Sequence, residues 1–97
     1  MIYEHAIFSI SPGTEADFEA AFVKGREVIL AGGALSAELS RCAEEPSRYL
    51  LRAAWESVEA HNEGFRKSPA FSEWRSHVGP YFAAPPDVTH YEVVVPA

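Results

Sequence analysis

The order in which two hydrophobic patterns alternate along the chain is the strongest constraint on its fold. Four segments are rich in β-branched and aromatic residues or alternate apolar with polar residues, which predicts strands, and three carry apolar residues at helical spacing. The strands are predicted over residues 2–10, 35–40, 49–55 and 88–95, and the helices over 14–31, 57–65 and 69–78. The resulting order, β-α-β-β-α(α)-β, predicts an α+β, ferredoxin-like βαββαβ subunit with a four-stranded antiparallel sheet and helices on one face.

Residues at the predicted helix ends support this division. Thr14, with Asp17 three residues later, has the spacing of an acidic capping box. Ser57 is placed to cap the second helix, and Ser68-Pro69 is a typical helix start. Gly32-Gly33 ends the first helix.

Length and charge limit the classes of function that the chain supports. With 97 residues it is expected to form one domain over residues 1–97, and its net charge of -6 disfavours nucleic acids and anionic membranes as partners. No apolar run is long enough to cross a bilayer, and residues 1–10 lack the basic start of a signal peptide. The single Cys42 excludes an internal disulfide or a paired-cysteine motif, so a cytoplasmic location is expected.

The predicted sheet has apolar residues on both of its faces. Helices cover one face only, so the other face of a monomer should be polar. Apolar side chains nevertheless occupy both sides of the first and last strands. In the first strand, one side has Tyr3 and Ile7, and the other has Ile2, Ala6, Phe8 and Ile10. In the last strand, one side has Tyr91, Val93 and Val95, and the other has Val88 and Val94. A homodimer in which two sheets pack face to face explains this pattern. The alternative is a monomer with a partly apolar open face.

The region from Trp55 to Trp74 resembles the signature region of the antibiotic biosynthesis monooxygenase family. It contains a strand that ends in Trp, the helix start Trp-Glu-Ser-Val-Glu-Ala-His, and Ser68-Pro69-Ala70-Phe71 opening the next helix. Pro12-Gly13 before a long helix and the closing His90-Tyr91 strand fit as well. The resemblance implies a dimeric α+β barrel with a small pocket between sheet and helices. Similar proteins include cofactor-free monooxygenases of anthrone-like or dihydroquinone-like aromatics, haem-degrading enzymes and enzymes that recycle signalling quinones.

The haem-degrading branch of the family carries residues that this chain lacks. That branch uses an Asn on the first strand, a Trp on the first short helix and a His on the second. Here the first strand has no Asn, the Trp position falls on Phe65, and the His position falls on Arg75, with His77 two residues further on. The resemblance therefore disfavours haem chemistry and implies a reaction without a cofactor.

A cofactor-free oxygenase needs an apolar cavity for a flat ring, a base or hydrogen-bond donor aimed at that ring, and exclusion of water. Large aromatic side chains are expected on or near the inward faces of the predicted elements. The candidate substrate-binding residues among them are Phe22, Trp55, Phe65, Phe71, Trp74 and Phe82. The alternative is that these rings only fill the core.

Three histidines are the candidate catalytic residues. His61 shares the inward face of its helix with Val58 and Phe65, and a neutral imidazole there can exchange a proton near neutral pH. The alternative is a His at the edge of the core that bonds to a backbone carbonyl. His5 and His90 lie on strands that are neighbours in this fold, and they form a paired imidazole site if the register places them opposite each other. Otherwise they are ordinary strand residues.

Arg52 in the middle of the third strand is the remaining polar candidate. A charge at such a position is costly unless paired, so it either forms an ion pair with Glu38 or Glu92 or holds an anionic group of the substrate. No His or Cys spacing is typical of a metal site, and none is predicted. The sequence thus favours a cofactor-independent monooxygenase that uses dioxygen on a small aromatic or quinol-like compound. The alternative is a non-catalytic small-molecule binding or stress-related protein.

Overall fold

The four predicted strands pair into one antiparallel sheet, and the helices cover one of its faces. The computed structural model describes residues 1–97. Its elements are β1 (Ile2–Ser9), α1 (Glu15–Ala31), β2 (Ser36–Arg41), β3 (Arg48–Trp55), a π-helix (Ala60–Phe65), α2 (Pro69–Val78), a 3-10 turn (Gly79–Tyr81) and β4 (Asp87–Glu92). The strand order is β2-β3-β1-β4, which confirms the α+β, ferredoxin-like fold. None of the helices combines the length and apolar character that crossing a membrane requires.

The core lies between the sheet and the helices. Because side chains alternate along a strand, β1 turns its even-numbered residues towards the helices, and Ala6, Phe8 and Ile10 are buried there. The predicted apolar face of α1 packs on them through Phe18, Phe22 and other residues of that face. The largest fully buried side chains are those of Trp55, Tyr49, Phe18, Phe65, Ile10, Ile29, Leu51 and Val78. Burial of each phenylalanine or aliphatic side chain among them contributes about 1.5–3 kcal/mol.

The helix starts are only partly as predicted. The Ser57 hydroxyl accepts a hydrogen bond from the Ala60 N–H at 3.1 Å, so this cap is confirmed. The capping box at Thr14 is wrong, because the Thr14 hydroxyl donates to the Ser11 carbonyl at 2.6 Å instead of accepting from the helix. Ser68 likewise donates its hydroxyl backwards, to the Phe65 carbonyl at 2.7 Å, although Pro69 does open α2.

The last strand is shorter than predicted. It ends at Glu92, which pairs with Ile2 at the start of β1, so no partner strand remains for the residues that follow. Val94 and Val95 are each 84% exposed as a result. Their β-branched side chains raise strand propensity locally, but a strand also needs a neighbour that supplies hydrogen bonds.

The helix-free face of the sheet carries the odd-numbered residues of β1 and their neighbours. Tyr3, His5 and Ile7 lie there in register with Ala54, Arg52 and Leu50 of β3. The Arg52 guanidinium lies 3.9 Å from the centre of the Tyr3 ring, and the His5 ring is 4.7 Å from that of Tyr91. This face therefore carries an apolar and aromatic patch formed by Tyr3, Ile7, Leu50 and Tyr91, next to polar side chains such as Glu38 and Thr89.

Candidate functional site

A cavity of about 80 Å³ lies between the sheet and the helices that cover it. Its floor is formed by β1 and β3, its wall by the π-helix and α2, and its remaining side by the segment that leads into β4. The apolar lining includes Ala6, Phe8, Ile29, Leu51, Phe65, Phe71, Trp74, Phe82, Pro86 and Val88. Four polar residues complete it, with Glu4 and His61 buried and Arg66 and Arg75 exposed at the rim.

Glu4 places a carboxyl group inside the apolar core. The alternation of β1 turns it inwards with Ala6, and the residue is only 4% exposed. The Trp55 indole N–H donates a hydrogen bond to its Oε1 at 3.0 Å. Burial raises the pKa of Glu4 to about 7, although the Trp55 hydrogen bond and the nearby charge of Arg66 lower it. Glu4 therefore exchanges its proton near neutral pH.

His61 lies next to Glu4 because of the local π-helix. The Arg66 N–H donates to the His61 carbonyl at 2.9 Å, a bond across five residues that widens the turn, and such turns are frequent at functional sites. The His61 ring stacks on Trp55 at 4.8 Å between centroids, and its Nε2 lies 3.4 Å from Glu4 Oε1. Burial, followed by the charges of His90 and Arg66, lowers the pKa of His61 to about 4, so its imidazole is neutral at neutral pH.

His90 continues this line of polar groups away from the cavity. The register places it opposite Glu4, and its Nε2 lies 2.8 Å from Nδ1 of His61. His90 is partly exposed and does not line the cavity. Burial, with a smaller contribution from the Arg66 charge, lowers its pKa. A continuous path thus runs from Glu4 through His61 to His90 at the surface.

This path can move a proton without charging an imidazole. When Glu4 is protonated, its O–H can donate to Nε2 of His61, and in that tautomer the Nδ1–H of His61 can donate to Nε2 of His90. When Glu4 loses that proton, His61 takes it on Nε2 and passes the Nδ1 proton to His90, which releases one from Nδ1. Each imidazole changes tautomer and ends neutral. The arrangement thus allows Glu4 to titrate while His61 transmits its proton.

Four of the six predicted aromatic residues line the cavity, namely Phe65, Phe71, Trp74 and Phe82. Phe65 fits closely because Gly32 has no side chain, since a Cβ there would lie 2.5 Å from the ring. The expectation that Phe22 and Trp55 also line the cavity is wrong. Phe22 packs behind Trp74, with ring centroids 5.9 Å apart, and Trp55 lies behind His61.

His5 and Arg52 lie on the other face of the sheet. His5 is paired with Arg52 of β3 and with Thr89 of β4. A shift of one residue along β4 would have placed it opposite His90. The paired imidazoles are therefore those of His61 and His90, and the register does not meet the condition for a His5–His90 pair. Arg52 forms no salt bridge with Glu38, which is its direct neighbour across the strands, or with Glu92, and it packs over Tyr3 instead. Neither side chain reaches the cavity.

The carboxyl group at the centre of the site was not predicted from the sequence. Its signal was present, because Glu4 stands between Ile2 and Ala6 on the inward side of an alternating strand, where an ionisable group is costly unless it has a partner. The positive charges at the rim were also missed. Arg66 follows Phe65 directly within the motif region, and Arg75 follows Trp74.

The cavity also bears on the haem-degrading alternative. Arg75, at the position that matches the haem-ligating His of that branch, lines the cavity, and a guanidinium is not an iron ligand. His77 is not part of the lining. No group of three or more His, Cys, Asp or Glu side chains has the arrangement of a metal site.

The fold and the site together define a ferredoxin-like protein with an aromatic chamber between its sheet and helices. The model of the antibiotic biosynthesis monooxygenase family matches residues 1–76, and the chain belongs to this family. It is 37% identical over 95 residues to YczJ of Bacillus subtilis (strain 168), a protein described as uncharacterized, covering 97% of this chain and 100% of YczJ.

Solved structures of related proteins have the same fold. A Bordetella bronchiseptica protein classed with the antibiotic biosynthesis monooxygenases is 42% identical, with a TM-score of 0.94 and coverage of 97% of both chains. A similarly classed protein of Nitrosomonas europaea has a TM-score of 0.79 at 19% identity, covering 98% of this chain and 100% of its own, and supports the fold alone.

Proposed function

We propose that the protein is a cofactor-independent monooxygenase that oxidises a small quinol-like aromatic compound with dioxygen. The observation that carries this proposal is the buried carboxyl of Glu4, with its pKa near 7, at the wall of an aromatic cavity. A general base is most effective when its pKa lies near the working pH. Family membership supports the same reaction class.

In the proposed reaction, Glu4 removes a phenolic proton, and His61 and His90 pass it towards solvent. The resulting phenolate is rich enough in electrons to reduce dioxygen. The substrate supplies all four electrons: one oxygen atom becomes bonded to a ring carbon, as a hydroxyl group on a hydroquinone or a carbonyl on an anthrone, and the other leaves as water, with a net loss of two hydrogens from the substrate. A hydroquinone is thereby converted to a hydroxyquinone, and no external reductant is consumed.

The size of the cavity limits the substrate. An engineered cavity of about 150 Å³ holds one benzene molecule, and the cavity here is about 80 Å³. This cavity is about half as large, so a single ring fits only when the half-buried Phe71 and Phe82 move to enlarge it. The remainder of a larger, anthrone-like substrate would lie in the mouth of the cavity.

Oxygen uptake tests the proposed reaction. With hydroquinone or a dithranol-like anthrone, we expect the protein to consume one dioxygen molecule per product molecule and to release no hydrogen peroxide. When the dioxygen is isotopically labelled, one of its oxygen atoms should appear in the product. His61→Ala should be slower, because it interrupts the proton path, and Glu27→Gln on the exposed side of α1 should match the wild type. Ligand binding without oxygen uptake would favour the non-catalytic alternative. A Soret shift with added hemin would favour haem chemistry.

We further propose that two copies pair through the helix-free sheet face. Tyr3, Ile7, Leu50 and Tyr91 form an apolar patch on this face, and Tyr91 is 54% exposed in the single chain. Light scattering should give about twice the chain mass of 10.7 kDa. Ile7→Asp should halve that mass while the circular dichroism spectrum stays folded. A wild-type protein that runs as a stable monomer at micromolar concentration would contradict the dimer.

A further inference from the structure

The mouth of the cavity carries two positive charges without a carboxylate partner. Arg66 and Arg75 both line the cavity and are exposed at its rim, and neither belongs to any salt bridge of the chain. Other cations of the surface, such as Arg41, Arg48 and Lys67, do have carboxylate partners. In a chain of net charge -6, two free guanidiniums at one opening form a local field of the opposite sign.

Aromatic rings hold these guanidiniums at the opening. The Arg66 Cζ lies 5.6 Å from the centre of the Phe71 ring, and the Arg75 Cζ lies 5.9 Å from the same centre and 5.6 Å from that of Phe82. Cation–π contacts of this kind restrain the side chains but leave their N–H groups free to donate. Both guanidiniums therefore lie close to Phe71, which itself lines the cavity.

We propose that Arg66 and Arg75 bind an ionised carboxylate carried on the aromatic ring of the substrate. Guanidinium groups recognise carboxylates through paired, charge-assisted hydrogen bonds. A ring that enters with its carboxylate at the rim presents its opposite side to Glu4 and His61. The substrate class is then a quinol with a carboxyl substituent, and the anion-binding role considered for Arg52 belongs to these two residues.

This inference rests on the proposed function only for the kind of ring that the cavity accepts, so it is tested by binding without oxygen. The probes are 2,5-dihydroxybenzoate and hydroquinone, which differ only in the carboxylate, and their binding is measured anaerobically by calorimetry and by tryptophan fluorescence, to which Trp55 and Trp74 both contribute. We expect the carboxylate to bind about tenfold more tightly, with a preference that falls as salt is added. Arg66→Gln and Arg75→Gln should each reduce this preference, and the double variant should abolish it.

Matched controls separate this effect from misfolding. Lys24→Gln removes a charge from the exposed side of α1 and should retain the full preference. Hydroquinone should bind the arginine variants as it binds the wild type, which also demonstrates that they are folded. Equal affinities for the two probes in the wild type, no measurable binding of the carboxylate, or an unchanged preference in the double variant would each overturn the proposal.

Oxygen uptake then distinguishes the two proposals. The arginine variants are expected to lose the carboxylate preference and still to oxidise hydroquinone, with the pH profile of Arg66→Gln moved to higher pH because the Arg66 charge lowers the pKa of Glu4. Lys24→Gln should keep both the preference and the oxygen uptake of the wild type. A carboxylate preference in a protein that consumes no oxygen would leave this inference standing and remove the monooxygenase. If the arginine variants lost hydroquinone turnover but bound 2,5-dihydroxybenzoate as tightly as the wild type, the inference would be overturned. The guanidiniums would then stabilise an anion derived from dioxygen and not the carboxylate of the substrate.

Discussion

Glu4→Gln is expected to lower kcat for a quinol substrate by about 10²-fold or more, which is the usual contribution of a general base. Glutamine has nearly the same shape, and its side-chain oxygen can still accept the Trp55 N–H, so packing should be preserved. What is lost is the only group at the wall of the cavity whose pKa lies near neutrality. The measurement is steady-state oxygen uptake by wild type and variant at saturating substrate.

The pH dependence of this loss identifies Glu4 as the base. Glu4 acts as a base only when ionised, so wild-type kcat should rise with pH up to about 7 and then level off. The residual rate of Glu4→Gln should lack that rise. If His61 were the base, the rise would instead lie near pH 4 and would survive in Glu4→Gln. Such a profile, or a variant with full activity, would remove Glu4 from the mechanism.

The stability of the fold should respond to pH in opposite directions in two variants. Folding raises the pKa of Glu4 from 4.5 to about 7, so the contribution of Glu4 to the free energy of unfolding decreases as pH rises through this interval. Folding lowers the pKa of His61 from 6.5 to about 4, so the contribution of His61 to the free energy of unfolding decreases as pH falls through that interval. Between pH 4.5 and 6.5 the folded state keeps the proton that Glu4 would lose, and the unfolded state takes one on His61. The two slopes therefore cancel in the wild type.

Removing either group exposes the slope of the other. Relative to wild type, Glu4→Gln should gain about 2 kcal/mol in the free energy of unfolding as pH rises from 4.5 to 6.5. His61→Gln should lose about 2 kcal/mol over the same range. Urea unfolding at several pH values measures both, and Glu27→Gln on the surface serves as the control. Curves parallel to that of the wild type would mean that folding shifts neither pKa.

The order of elements was predictable because local pattern and tertiary structure agree. The face of α1 that contains Phe18 and Phe22 has helical spacing, and the same residues are buried. The last strand was predicted too long, because Val94 has strand propensity but no partner strand. The π-helix was not predictable, since its wide turn depends on packing and has no sequence signature comparable with the cap at Ser57.

The candidate site was predictable only in part, because strand register decides which face a residue occupies. His61 was correctly placed on an inward helix face. His90 lies on the inner face opposite Glu4, whereas a shift of one residue would have placed it opposite His5. The face of Arg52 could have been inferred, because its neighbours Leu51 and Ala53 occupy the inward positions of β3. Contacts between distant segments, such as His61 with His90, required the structure.

The most direct test of this account is an NMR titration of the side-chain carboxyl carbon of Glu4 in the folded protein, assigned by comparison with Glu4→Gln. A midpoint near pH 7 is predicted, with the His61 ring nitrogens remaining those of a neutral imidazole down to about pH 5. A Glu4 midpoint close to the ordinary value of 4.5, or a His61 that becomes charged near pH 6.5, would contradict the proposed proton path.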